Sequence, residues 1–140
     1  MTNGKIIELD LSKTNGSITS LRELVIQTLR ERDLYRTDLV YRGFNRRMID
    51  EVLTYGSENP NSRYVYANPE EHLSVDPDTT WINPLTYAKC YGALAVYRAD
   101  KLKEFCFTCY EFPDLDKKAE TLVAIFPLDT SKSPEPQNWV

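Results

Sequence analysis

The order of hydrophobic periodicities along the chain constrains its fold more than any single motif does. Leu21, Leu24, Val25 and Leu29 fall at helical spacing and make one apolar stripe, opposite Arg22, Arg30, Glu31 and Arg32. Later runs are short and apolar or alternating: Arg63–Ala67, Ala93–Ala99, Glu104–Phe112 and Glu120–Leu128. Strand patterns that cluster late, with helical patterns mainly earlier, predict an α+β fold. The expected core is a split or mixed sheet of about six strands with two or three short helices. Lys5–Leu11 and Asp38–Phe44 supply the remaining strands.

Local signals refine this order. Ser20-Leu-Arg-Glu23 has the form of a capping box before the helical stripe. Asn45 is placed to cap a second helix, whose stripe is Met48, Ile49, Val52 and Leu53 and whose end is Gly56. Ser57–Ser62 is turn-like. Asn83-Pro84 opens a short helix that Gly92 ends. No linker or repeat divides residues 1–128, which are expected to form one domain, and the polar tail 129–140 is expected to lie outside it. At this length a domain buries roughly 70% of the surface its unfolded chain exposes and needs no staple.

Charge and motifs narrow the function classes. A net charge of −4 and a pI near 5.1 argue against general nucleic-acid or anionic-membrane binding, both of which need basic surface. No run approaches the roughly 20 apolar residues of a membrane span. Met1–Asp10 lacks signal-peptide features, so an intracellular, cytoplasmic setting is expected. The five glycines are scattered, which leaves no phosphate loop, and there is no Gly-x-Ser-x-Gly elbow. The single histidine, His72, rules out multi-histidine metal sites, and no metal is expected. Read as one strand, Glu104–Phe112 places Cys106 and Cys109 on opposite faces. That predicts neither a zinc site nor a redox pair, and both, like Cys90, are expected to be small buried residues.

What remains is an ordered series. Leu39-Val-Tyr-Arg-Gly43 is a strand ending in Tyr-Arg-Gly, and Arg63-Tyr-Val-Tyr-Ala67 is an aromatic strand. A short helix with Tyr87-Ala88 and Tyr91 follows, then Glu120 opens Thr-Leu-Val-Ala-Ile-Phe126. Over residues 38–128 this series resembles the ADP-ribosyltransferase superfamily. Its members hold NAD with an Arg-Gly or His-Gly pair at a strand end. They pack the nicotinamide on a second strand, follow it with a helix of Ala-x-x-Tyr-Ala character, and use a glutamate on a later strand.

The resemblance implies NAD as a substrate, with Arg42 as its anchor and Gly43 allowing close approach. One of Tyr64 and Tyr66 would stack on the nicotinamide while the other fills the core. Tyr87 would lie on the binding-site helix. Glu120 would be the catalytic carboxylate, with Glu111 as its rival. The chemistry suits these types: a guanidinium fork matches phosphate and ribose oxygens, and a carboxylate stabilises the charge that develops as nicotinamide leaves. Departures from the family are the missing Ser-Thr-Ser, for which Ser62 is nearest, and the missing Glu-x-Glu, since Lys118 stands two before Glu120.

The implied activity is transfer of ADP-ribose to a protein or nucleic-acid target, or NAD cleavage, in a toxin, effector or phage-borne modifier. The alternative is a non-enzymatic acidic binding or inhibitor module that uses the 68–80 loop, with Trp81 beside it. A third reading, an RNA-processing protein, requires Arg22, Arg30, Arg46, Arg47 and Arg63 to converge on one face.

Overall fold

In a computed structural model, residues 4–14, 18–36, 38–69, 84–106 and 109–128 are described. The α+β expectation holds. The helices are α1 (Ile18–Glu31), α2 (Ile49–Tyr55) and α3 (Pro84–Tyr91). The strands are β1 (Leu39–Asn45), β2 (Tyr64–Tyr66), β3 (Asn68–Pro69), β4 (Gly92–Arg98), β5 (Lys103–Cys106), β6 (Cys109–Glu111) and β7 (Leu122–Pro127). Two antiparallel sheets result, with strand orders β3-β1-β4-β7 and β2-β6-β5.

Alternation along β1 and β4 divides the core in two. Leu39, Tyr41, Leu94 and Val96 face Leu21, Val25 and Leu29 of α1 and Leu85 and Ala88 of α3. Val40, Phe44, Ala95 and Tyr97 face Val52 of α2, Val65 and Tyr110 of the smaller sheet, and Phe112 just beyond β6. The larger sheet is therefore the middle layer, with both faces apolar. Each large side chain fully buried there contributes about 1.5–3 kcal/mol.

Several sequence expectations need correction. Lys5–Leu11 is not a full strand: it makes one parallel bridge, Ile6 to Ile125, and then a 3₁₀ turn at Leu11–Lys13. Ser20 lies inside α1, so Ser20 and Glu23 do not cap its start. Asn45 caps a 3₁₀ turn, Arg46–Met48, that leads into α2. The strand expected over Arg63–Ala67 is present as β2, which pairs with β6; past buried Ala67 the chain crosses to the larger sheet, where β3 pairs with β1. Pro69, with no N–H to donate, sits on the edge strand, where that loss is tolerated. Glu104–Phe112 is a hairpin rather than one strand. Glu120 belongs to a 3₁₀ segment, Leu115–Thr121, ahead of β7. The acidic loop with His72 and Trp81, and the tail from residue 129, lie outside the described residues, apart from Asn68–Pro69.

Two buried tyrosines on neighbouring strands make a controlled pair. The Tyr97 hydroxyl donates to the Gly56 carbonyl at 2.8 Å. The Tyr41 hydroxyl is buried with no hydrogen-bond partner among the described residues. Burial pushes both phenols well above their ordinary pKa, against the opposing charges of Arg22 and Arg30 at Tyr41 and of Arg42 at Tyr97. A bond that satisfies a buried group is worth keeping, whereas an unsatisfied hydroxyl costs stability. Tyr97→Phe should lower stability by about 1–2 kcal/mol and Tyr41→Phe should leave it equal or raise it by about 1 kcal/mol. Urea midpoints of the two variants check the contrast.

Candidate functional site

The site is built where the run from Tyr64 to Pro69 passes from one sheet to the other. Among the described residues, β3 pairs with Val40 and Tyr41, and no strand pairs with that side of β1 from Arg42 onward. Arg42 lies on the same face as Val40 and Phe44, towards the smaller sheet. Its guanidinium reaches two partners there. Nε donates to Glu58 Oε1 at 2.8 Å, and the terminal NH2 nitrogen lies 2.6 Å from the same oxygen. The NH1 nitrogen donates to the Tyr66 carbonyl at 3.0 Å. Both charged side chains are partly exposed, at 22% for Arg42 and 29% for Glu58. Arginine carries five N–H donors, so this cluster leaves the fork capacity for a further acceptor.

Glu58 is held by a loop with its own anchors. α2 ends at Gly56, whose φ of +86° turns the chain back towards β1. Tyr97 grips the Gly56 carbonyl from below. Lys118, only 1% exposed, sends its ammonium to the carbonyls of Asn59, Pro60 and Ser62 at 2.9, 3.3 and 2.7 Å. Burial pushes that ammonium's pKa down, and the carbonyls and the Phe112 ring (5.1 Å to its centroid) satisfy it. The carboxylate beside Arg42 is thus set by a buried strut from the far end of the chain.

α3 brings two tyrosines to the same neighbourhood. Tyr87 and Tyr91, one helical turn apart, stack with centroids 4.3 Å apart and planes 19° apart. Burial, then the Tyr91 neighbour, raises the Tyr87 phenol; the charges of Arg42 and Glu58 act on it in opposite directions. Gly43 lies under this helix. A Cβ there would stand 2.7 Å from the Ala88 nitrogen and the Pro84 carbonyl, and 2.8 Å from Tyr87 Cβ. The glycine is thus required by the close approach of α3.

The other expected residues are placed differently. Tyr64 and Tyr66 do not divide between core and site. Residues two apart on a strand share a face, and both are exposed, at 43% and 68%, while Val65 between them is buried. Tyr64 packs against Phe105 with centroids 5.1 Å apart. Glu120 is exposed and its charge acts on Lys5, which donates to the Ala119 carbonyl. Arg42 lies across from Ala95 and Ile125, so Glu120, five residues before Ile125, is displaced towards the other end of the sheet. Glu111 lies opposite Tyr64 and forms a 3.8 Å ion pair with Arg63. Arg42 therefore gathers Glu58 and the Tyr66 carbonyl, with Tyr87 close enough to feel its charge, and neither expected glutamate is among its contacts. Glu58 carried no sequence signal beyond its place in a turn-like loop.

The five arginines of the RNA reading do not share a face. Arg22 and Arg30 belong to α1 on one side of the larger sheet, while Arg63 flanks β2 in the layer over the other side. Arg46 donates to the Leu128 carbonyl at 2.9 Å. Among the described residues, no helix is long and apolar enough to cross a membrane.

Comparison with protein-family models, with curated proteins and with solved structures finds no match for this chain.

Proposed function

We propose that the cluster around Arg42 binds the pyrophosphate or ribose oxygens of NAD. On this reading the protein is an ADP-ribosyltransferase-like enzyme that transfers ADP-ribose to a macromolecular target or cleaves NAD. The observation that carries the reading is the Arg42–Glu58 pair. It sets a guanidinium fork beside a carboxylate, with the Tyr66 carbonyl on the same fork and the Tyr87 phenol close enough to feel both charges.

The roles follow from the chemistry. Arg42 presents charge-assisted donors to an anionic oxygen, the strong class of hydrogen bond. Tyr66 or Tyr87 offers an aromatic face to the nicotinamide. Glu58 takes the carboxylate role that the resemblance gave to Glu120 or Glu111. It accepts from the ribose 2′-hydroxyl and stabilises the positive charge that develops as the bond to nicotinamide breaks. In the free protein Glu58 occupies part of the fork, so NAD competes with it for Arg42, and binding is expected to weaken as salt screens the phosphates.

The test is a thermal shift with NAD, followed by detection of released nicotinamide. The wild type should be stabilised and should release nicotinamide. Arg42→Ala should lose at least tenfold in NAD affinity, the equivalent of one charge-assisted bond at about 1.5–3 kcal/mol. Glu58→Gln should keep binding and lose about 10²–10³ in turnover. Glu120→Ala should match the wild type. Folded wild type that neither binds NAD nor releases nicotinamide would remove the proposal.

A further inference from the structure

Three free cysteines are present, and the hairpin brings two of them together. β5 and β6 begin in one register, with Lys103 opposite Glu111 and Glu104 opposite Tyr110. Continued unchanged, that register would set Cys106 against residue 108 and leave the two thiols on opposite faces. A bulge between Glu104 and Cys106 adds one residue to β5, and Cys106 then lies directly opposite Cys109. Directly opposed residues of an antiparallel pair point to the same side of the sheet. Their Cα atoms stand about 4.5–5.5 Å apart, inside the span of about 4.4–6.8 Å that a disulfide bridges.

We propose that Cys106 and Cys109 form a redox modification site, a dithiol that closes reversibly to an intramolecular disulfide by exchange with a low-molecular-weight disulfide. The two thiols have different surroundings, which sets the order of events. Cys106 is exposed, whereas Cys109 is 7% exposed. Burial, then the neighbouring Cys106, raises the Cys109 thiol. The Cys106 thiolate is the one an incoming disulfide can reach. It attacks one sulfur of that disulfide, the old S–S bond breaks, and one small thiol leaves while a mixed disulfide forms on Cys106. Cys109 then gives its proton to solvent and attacks Cys106 Sγ, expelling the second small thiol. Two protein thiols are oxidised and one external disulfide is reduced to two thiols.

The position also relates the pair to the arginine cluster. Cys109 lies opposite Tyr66 on β2, and Tyr66 gives its carbonyl to Arg42. The chemistry stands independently of any role for NAD. Cys90, buried on α3, serves as an internal control.

The test equilibrates the intact protein with oxidised glutathione, blocks remaining thiols by alkylation and maps the products by mass spectrometry. Free thiols should fall from three to one. The bridged peptide should contain Cys106 and Cys109, Cys90 should be alkylated, and excess dithiothreitol should restore all three. Cys109→Ser should stop at a stable glutathione adduct on Cys106, and Cys106→Ser should react at least tenfold more slowly. A persistent glutathione adduct on wild-type Cys106, a bridge to Cys90, or three free thiols after excess oxidant would each overturn the proposal. The wild-type result does not depend on either variant folding.

Discussion

Gly56→Ala should destabilise the protein by about 3–4 kcal/mol, seen as a lower urea midpoint with an unchanged slope. Two costs add at this position. The φ of +86° lies in the left-handed region, where a Cβ costs about 1–2 kcal/mol. The added atom would also stand 2.6 Å from the Lys118 carbonyl carbon and 2.7 Å from its oxygen and its Cβ. Two of those three contacts are main chain, so shortening the lysine side chain would not relieve the overlap. Overpacking of this kind costs typically 1–3 kcal/mol.

The effect should not stay local. Gly56 ends α2 through its N–H to the Val52 carbonyl at 2.8 Å, and its own carbonyl receives the Tyr97 hydroxyl. Moving it away from Lys118 shifts the loop that carries Glu58. The variant should therefore lose the Arg42–Glu58 pair as well as stability. A midpoint within about 0.5 kcal/mol of wild type, the usual range for a neutral surface change, would mean the loop is not seated against Lys118.

How much of this could be read in advance depended on the kind of signal. The stripe of Leu21, Val25 and Leu29 and the glycine at the end of α2 are local patterns, and both appear where periodicity and turn chemistry place them. The strands at Leu39–Asn45, Tyr64–Tyr66 and Gly92–Arg98 followed in the same way. The failures have a common physical origin, which is that register and partner choice are not local. A chain reversal between Cys106 and Cys109 turned one expected strand into a hairpin, and the bulge at the end of β5 reversed the reading of the two cysteines. Similarly, the chain leaves β2 at Ala67 and joins the larger sheet at Asn68–Pro69, a crossing that sequence pattern alone does not mark.

The candidate site shows the same division. Arg42 stood out as a charge on an apolar strand, although it lies in the middle of β1 and not at its end, and Tyr87 stood out from its helix. Glu58 did not, because it reaches Arg42 only after α2 reverses the chain and Lys118, from the far end of the sequence, fixes the loop. Glu120 looked suitable because it precedes an apolar run. The strand begins two residues later, however, and its register sets Ile125, not Glu120, across from Arg42. The sidedness of Tyr64 and Tyr66 was decidable from alternation alone, since a period of two puts them on one face.

Gly43→Ala separates two explanations of the Tyr-Arg-Gly sequence. If the glycine serves chiefly to admit a dinucleotide, alanine should weaken NAD binding and leave stability near wild type. If it serves the packing of α3, stability should fall first. The contacts favour the second outcome: the added Cβ would meet the Ala88 nitrogen and the Pro84 carbonyl at 2.7 Å, both helix backbone. Backbone cannot rotate away as a side-chain end can, so β1 and α3 must separate. That separation loosens Leu85 and Ala88, both fully buried against Tyr41 and Leu94. The expected loss is about 3 kcal/mol, at the upper end of ordinary overpacking. Tyr87 and Tyr91 move with the helix, so their stacking should change and the near-ultraviolet dichroism of the folded variant should differ from wild type. Alanine at position 43 with an unchanged midpoint and unchanged tyrosine dichroism would show that α3 does not rest on this glycine, and the dinucleotide explanation would then stand in its place.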